Sequence, residues 1–158
     1  MIILGIDPGL ERIGYGLIRR IGSRVEPIDY GLIKTPPIAL PDRLLLIREQ
    51  MEALLGQHSP EAVATERLLF TVNKTTAMDV AKALGVVLVC VGARGIPWCE
   101  YSPPEVKLSV VGNGSATKQQ VQFMVTKLLG LRETPKPDDV ADALAIALTH
   151  GLRSRLPV

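Results

Sequence analysis

Four carboxylates define the chemistry this sequence offers. Asp7 closes the aliphatic run "MIILGID" and is followed at once by Pro8-Gly9. Glu66 closes a second run, "AVATE", and Asp139 and Asp142 lie in "PKPDDVADALAIALTHG". An ionised carboxylate at the end of a buried strand is costly unless it is paired or binds a cation. An aspartate ahead of Pro-Gly has a plainer role, capping the turn through its own backbone. The repetition of the pattern at Glu66 weighs against that role, because both strands then deliver an acid. Asp139 and Asp142 are three residues apart, on one helical face about one turn apart. An aspartate at 138 or 139 serves a helix N-terminus. Asp142 has no such duty: it lies a full turn inside a helix whose Ala141, Ala143, Leu144, Ala145, Ile146 and Ala147 are small or apolar, so it is buried and needs a partner. Brought together, four such groups repel one another unless cations intervene, and two divalent ions would cancel all four charges. Hard oxygen donors without a Cys/His cluster select Mg²⁺, with Mn²⁺ as a substitute, over zinc. Two such ions about 3.5–4 Å apart activate a water and stabilise the leaving oxygen of a phosphodiester.

The elements that must position these groups follow from the patterning. Ile2, Ile3, Leu4 and Ile6 run almost without alternation, as in a strand buried on both faces. "RIGYGLIRR" resumes a strand pattern after the turn, which makes a hairpin, and "RVEPIDYGLIKT" is a third strand with Gly31 inside it. "KTPPIALP" is a loop. "DRLLLIREQMEALLGQ" spaces Leu44, Ile47, Met51, Leu54 and Leu55 as a helix that Gly56 ends. "PEAVATER" is a short buried strand. "NKTTAMDVAKALGVVLVCVGARG" is a helix with Ala77, Val80, Ala81, Leu84 and Leu88 as its stripe, and "IPWCEYS" is a fifth strand. Three more helices follow: one after Pro103-Pro104, one over 117–129 and one over 138–152. This order predicts an α/β fold, a five-stranded mixed sheet with helices on both faces. A right-handed crossover sets the strands of Asp7 and Glu66 parallel and adjacent, with their acidic ends in one place.

Composition bounds the rest. A chain of 158 residues with 47% hydrophobic and 22% charged residues is expected to form a single domain with a substantial core. The net charge of +2 is too weak to announce nucleic acid by itself, but its distribution is uneven. Lys107, Lys118 and Lys127 face only Glu105 between residues 101 and 130, and Arg67 to Lys82 holds three bases against Asp79. No secretory signal is visible, and the apolar run Leu84–Ala93 is too short to span a bilayer. Cys90 and Cys99, in apolar surroundings without metal-ligand spacing, are expected as buried free thiols in a reducing compartment. The expected location is therefore cytoplasmic, with no membrane partner.

"GIDPGLERIGYG", "ATER", "VVGNGSATKQQVQFMV" and "DDVADALAIALTHG" closely resemble the RuvC family of bacterial Holliday junction resolvases, within the RNase H-like nuclease superfamily. The resemblance covers essentially the whole chain, in order and at matching spacing. It implies an RNase H-like fold over residues 1–158 and a homodimeric, Mg²⁺-dependent endonuclease. Such an enzyme nicks two opposed strands of a four-way DNA junction in recombination and repair, beside a RuvA–RuvB branch-migration complex. The family's acidic quartet falls on Asp7, Glu66, Asp139 and Asp142, leaving Asp138 as an extra, capping residue. A family basic position falls on Lys107. The family also offers an aromatic to the junction centre three residues after its glutamate; here Leu69 holds that place and Phe70 the next.

Other features bear on DNA from the residues themselves. Thr117 and Gln120 form a capping box, which puts Lys118 in the first helical turn, where a cation opposes the helix dipole and a phosphate would relieve it. Phe123 in "QFMV" reads as core. Gly112 and Gly114 either let a loop approach DNA or serve a turn. The 75–92 helix, apolar on more than one face and rich in Ala77, Ala81 and Ala83, is the expected dimer interface. "GIDPG" also opens actin-like ATPases and sugar kinases, but those folds need two such domains. A non-catalytic junction-binding module would not need four carboxylates, whereas an RNase H-like nuclease with another substrate would keep them all.

Overall fold

The computed structural model describes residues 1–68 and 74–154. Along them run β1 (Ile2–Asp7), β2 (Arg12–Ile21), β3 (Arg24–Lys34), α1 (Leu40–His58), β4 (Ala62–Glu66), α2 (Lys74–Ala93), β5 (Trp98–Tyr101), α3 (Pro103–Val111), α4 (Lys118–Leu128) and α5 (Asp138–Arg153). The strands form one sheet in the order β3-β2-β1-β4-β5. β1, β2 and β3 pair antiparallel, whereas β4 and β5 run parallel to β1. This is the expected mixed sheet, with β1 at its centre.

Alternation along β1 feeds two cores. Ile3 joins Ile18 and Ala64 beneath Leu144, Ala147 and Leu148 of α5, with Val106 of α3 and Val121 and Val125 of α4 alongside. Leu4 and Ile6 join Leu17 and Val63 against Ile47, Met51 and Leu55 of α1 and Val87 of α2. Helices thus cover both faces. α5 sits directly on the strands, because a Cβ at Gly5 would collide with the Ala143 carbonyl and one at Gly14 with the Asp139 carbonyl. As the alanine-rich "DDVADALAIAL" requires, residues 143–149 of α5 are all buried.

Several details depart from the pattern reading. α1 runs through Gly56 to His58, and Ser59 closes it in the left-handed region at φ 46°, donating its N–H to the Leu55 carbonyl. On α2 the buried stripe is Ala83, Leu84, Val87, Cys90 and Val91, while Ala77, Val80, Ala81 and Leu88 are only half-buried. A helix apolar nearly all round gives no phase from sequence, and α1 and the sheet choose the face. Thr75–Ala93 is moreover long and apolar enough to cross a membrane by length and composition, with 28% of it buried. Phe123 is not core: Val121 and Val125 take the inward face of α4, and Phe123, about 200° from each, is 58% exposed with the Lys127 ammonium over its ring. Cys90 is buried as expected, but Cys99 is exposed on the edge strand β5. Gly112 is the left-handed C-cap of α3 at φ 84°.

Candidate active site

The parallel register of β1 and β4 pairs Ile6 with Thr65, which leaves the next residues, Asp7 and Glu66, side by side at the strand ends. α5 begins above them. Its close seat on Gly14 lowers Asp139 onto the sheet, and one turn later Asp142 follows on the same face.

The electrostatics record the convergence. Burial first, then the charges of Glu66, Asp142 and Asp139, push the Asp7 carboxyl up to about 8, against the pull of Lys118. Glu66 is raised by burial and by Asp142; Asp142 is raised by burial despite its bond to Lys118. Mutual repulsion among desolvated carboxylates is the common cause.

Cations reach two of the acids. Lys118 Nζ stands 3.0 Å from Asp142 Oδ2 and 3.2 Å from Asp138 Oδ2. Burial pulls the Lys118 ammonium down, but Asp142 and then Asp138 outweigh this and hold it above the lysine range. Arg12 Nε stands 3.3 Å from Asp139 Oδ2, an oxygen that is buried and accepts no hydrogen bond among the described residues. With side chains so placed, no three Asp, Glu, His or Cys groups among the described residues close around one point as a ready-made metal cage.

The structure distinguishes the two adjacent aspartates. Asp138 is exposed, accepts from Gln122 Nε2 at 3.0 Å and sits below the usual carboxylate range through its hydrogen bond with Lys118. It does not cap α5, whose N-cap is Pro137 without a side-chain bond. Asp139 faces inward and adds to the repulsion on Asp7. The predicted capping box of α4 is present, with Thr117 and Gln120 each bonding the other's backbone. Lys118, expected to await a phosphate, instead leans on the carboxylates. Lys107 and Lys118 line one cavity together with Glu66, Asp142, Val106 and Ile146. Leu69 and Phe70 lie outside the described residues. Sequence reading missed Arg12. Its signal was the hairpin itself: Asp7 pairs with Gly14, which sets the start of β2 beside the acidic strand end.

A family model described as "Crossover junction endodeoxyribonuclease RuvC" matches residues 3–150. The crossover junction endodeoxyribonuclease RuvC of Desulfitobacterium hafniense is 51% identical over 152 residues, covering 96% of this chain and 92% of that protein. The protein of the same name from Syntrophomonas wolfei is 50% identical over 151 residues, covering 95% and 88%. Among solved structures, T. thermophilus RuvC in complex with a Holliday junction substrate superposes with a TM-score of 0.92 at 38% identity, covering 96% of this chain and 93% of that one.

Proposed function

The chain belongs to the RuvC family of crossover junction endodeoxyribonucleases, and we propose that it resolves four-way DNA junctions by paired, symmetric nicks, with Asp7, Glu66, Asp139 and Asp142 as its catalytic carboxylates. The observation that carries this reading is the meeting of these groups at the ends of β1 and β4 beneath α5, where Asp7 is driven up to about 8. A carboxylate serving only the fold would have a neutralising partner; Asp7 has other carboxylates.

The residues fit hard divalent cations. Every donor is an oxygen, the site holds more negative charge than Lys118 and Arg12 offset, and the buried Asp139 Oδ2 lacks a hydrogen bond. We assign the four carboxylates to two Mg²⁺ ions, with Mn²⁺ as a substitute. Such a pair, when bound, supplies an activated water and charge stabilisation at the departing 3′-oxygen. The chain's own part is placement. Asp7 and Glu66 stand on rigid strand ends, and α5 holds Asp139 and Asp142 over them. Lys107 and Lys118, at the rim of the adjoining cavity, hold the phosphate backbone in register. Leu69 and Phe70 are the side chains assigned to the junction centre.

Opposed nicks need two active sites, so we assign a two-fold homodimer whose axis lies on α2. Met78, Lys82, Gly85, Val89 and Gly92 face outward at helical spacing, with Met78 57% and Val89 69% exposed. Ala83, fully buried within the chain, leaves the interface assigned to it from sequence. We place residues 1–158 in one nuclease domain and, on the strength of the family, beside a RuvA–RuvB complex.

The test offers four-way junction, duplex, flap and RNA–DNA hybrid, with and without Mg²⁺. The expected result is Mg²⁺-dependent cleavage of the junction alone. Asp7→Asn and Asp142→Asn should each lose on the order of 10²-fold or more in rate while still retarding the junction in a gel. Wild-type rates in either variant remove that residue from the site, and equal cleavage of flap or duplex overturns the substrate.

A further inference from the structure

Asp139 is held differently from the other three carboxylates. Its Oδ2 is buried and accepts no hydrogen bond among the described residues, yet the Arg12 guanidinium lies 3.3 Å away with half its side chain in solvent. Arg12 stands between two clefts that both reach Asp139. One is lined by Gly9, Leu10, Arg43, Thr76 and Asp79, the other by Lys118, Lys136, Pro137 and Asp138. It is the first residue of β2, paired with Lys34, so its backbone is fixed while its half-exposed side chain lines both clefts. The strong form of an arginine–carboxylate pair is a fork of two parallel N–H···O bonds. Here one Nε faces one oxygen, without a hydrogen bond.

We propose that Arg12 is a displaceable counter-ion of Asp139: it holds this carboxylate in the metal-free chain and competes with the divalent cation for Oδ2. The inference rests on the reading of Asp139 as a metal ligand. Arg12 is a positioning residue in this scheme, acting only through Asp139. Lys118, which unlike Arg12 hydrogen-bonds its carboxylate, is the second cation of the site, on Asp142. Released from Asp139, the Arg12 guanidinium would stand in the clefts it lines, where a DNA phosphate is the complementary partner.

The experiment measures Mn²⁺ binding to the full-length chain without DNA, by calorimetry at low ionic strength, for wild type, Arg12→Gln, Arg12→Lys, Asp139→Asn and the Arg12→Gln/Asp139→Asn double variant. Removing a competitor from a half-exposed ion pair should tighten Mn²⁺ binding about threefold to fivefold in Arg12→Gln. Arg12→Lys, which keeps the charge, should remain near wild type. In the Asp139→Asn background the Arg12 substitution should have no effect, because nothing remains to compete for. Unchanged or weaker Mn²⁺ binding in Arg12→Gln overturns the proposal, as does an equal gain with Asp139 replaced. A fall in melting temperature with unchanged Mn²⁺ affinity also overturns it, by reducing Arg12 to a structural role. If Asp139→Asn itself binds Mn²⁺ like wild type, the metal-ligand reading of Asp139 fails first.

Discussion

α5 and α2 are both made largely of small and apolar residues, and the fold treats them in opposite ways. α5 lies on the middle of the sheet, buried from Ala143 through Thr149, with its acidic first turns over the strand ends. α2 packs against α1 and leaves Met78 and Val89 in solvent. Glycine makes the same contrast. Gly5 is where the α5 backbone meets β1, whereas at Gly85 and Gly92 on α2 a Cβ would meet nothing within 4 Å. Apolar sequence therefore does not settle what a helix covers. The small residues of α5 are matched by absent side chains on the strands beneath; on α2 Ala83 is buried, whereas Gly85 and Gly92 meet no atom within 4 Å among the described residues.

The largest effect should come from exchanging that treatment. Gly5→Ala drives a Cβ into the Ala143 carbonyl and Ala147 nitrogen, both backbone atoms that cannot turn aside. Denaturant unfolding should show a loss of about 3 kcal/mol or more. Gly85→Ala, where a Cβ meets nothing within 4 Å among the described residues, should instead gain about 0.5–1 kcal/mol when measured in the Val89→Glu background that keeps the chain monomeric. Similar losses at both sites would mean that α2 also lies against something within the chain.

Next in size is the dependence on pH. In the metal-free folded chain Asp7 keeps its proton up to about 8, against 3.8 as its ordinary value. Between those values the folded state binds more protons than the unfolded chain, so the contribution of Asp7 to stability is full below about pH 3.8 and is lost as pH rises toward 8. Glu66 and Asp142, raised in the same direction, add to the slope. Asp7→Asn should flatten it, and saturating Mg²⁺ should reverse it, because ligation requires the ionised form. A metal-free chain equally stable at pH 5 and pH 8 would contradict the burial of charge at this site.

A smaller effect on folding, though a decisive one on assembly, is expected on α2. Val89→Glu places a charge on the outward face, where it should leave the unfolding free energy of the isolated chain within about 0.5 kcal/mol of wild type. It should convert a sedimenting dimer to a monomer that nicks only one strand per encounter. A wild-type monomer that makes paired nicks would remove α2 from the argument.

What was legible in the sequence divides along the same line. The strands ending in Asp7 and Glu66, their parallel adjacency, the Thr117 capping box and the inward-facing aspartate of α5 could all be read, because each follows from local pattern plus the cost of burying charge, though Asp142 is half-buried rather than buried. The stripe of α2 could not be phased, since nearly every face is apolar and a tertiary neighbour does the choosing. Phe123 was misplaced because aromatic character stands out more in a sequence than the 200° that separate it from Val121 and Val125. The hairpin sets Arg12 beside the end of β1, but its pairing with Asp139 and the contacts of Gly5 and Gly14 depend on which helix crosses the sheet, and nothing in "GIDPGLERIGYG" names that helix.

The smallest effect is the one that checks the register of the acidic helix. Asp138 and Asp142 share Lys118, at 3.2 and 3.0 Å, but differ in everything else. Asp138 is exposed and tied to Gln122, on the solvent side of the α5 start, whereas Asp142 is largely desolvated beside Glu66. Neutralising an exposed partner removes a screened interaction and leaves Lys118 to Asp142 alone. Asp138→Asn should therefore change the junction-cleavage rate by no more than about twofold and leave Mn²⁺ affinity unaltered. Asp139→Asn should abolish the one and weaken the other. If the two substitutions exchange outcomes, with Asp138→Asn inactive and Asp139→Asn active, the quartet is displaced by one residue and α5 must turn by about 100° to present it.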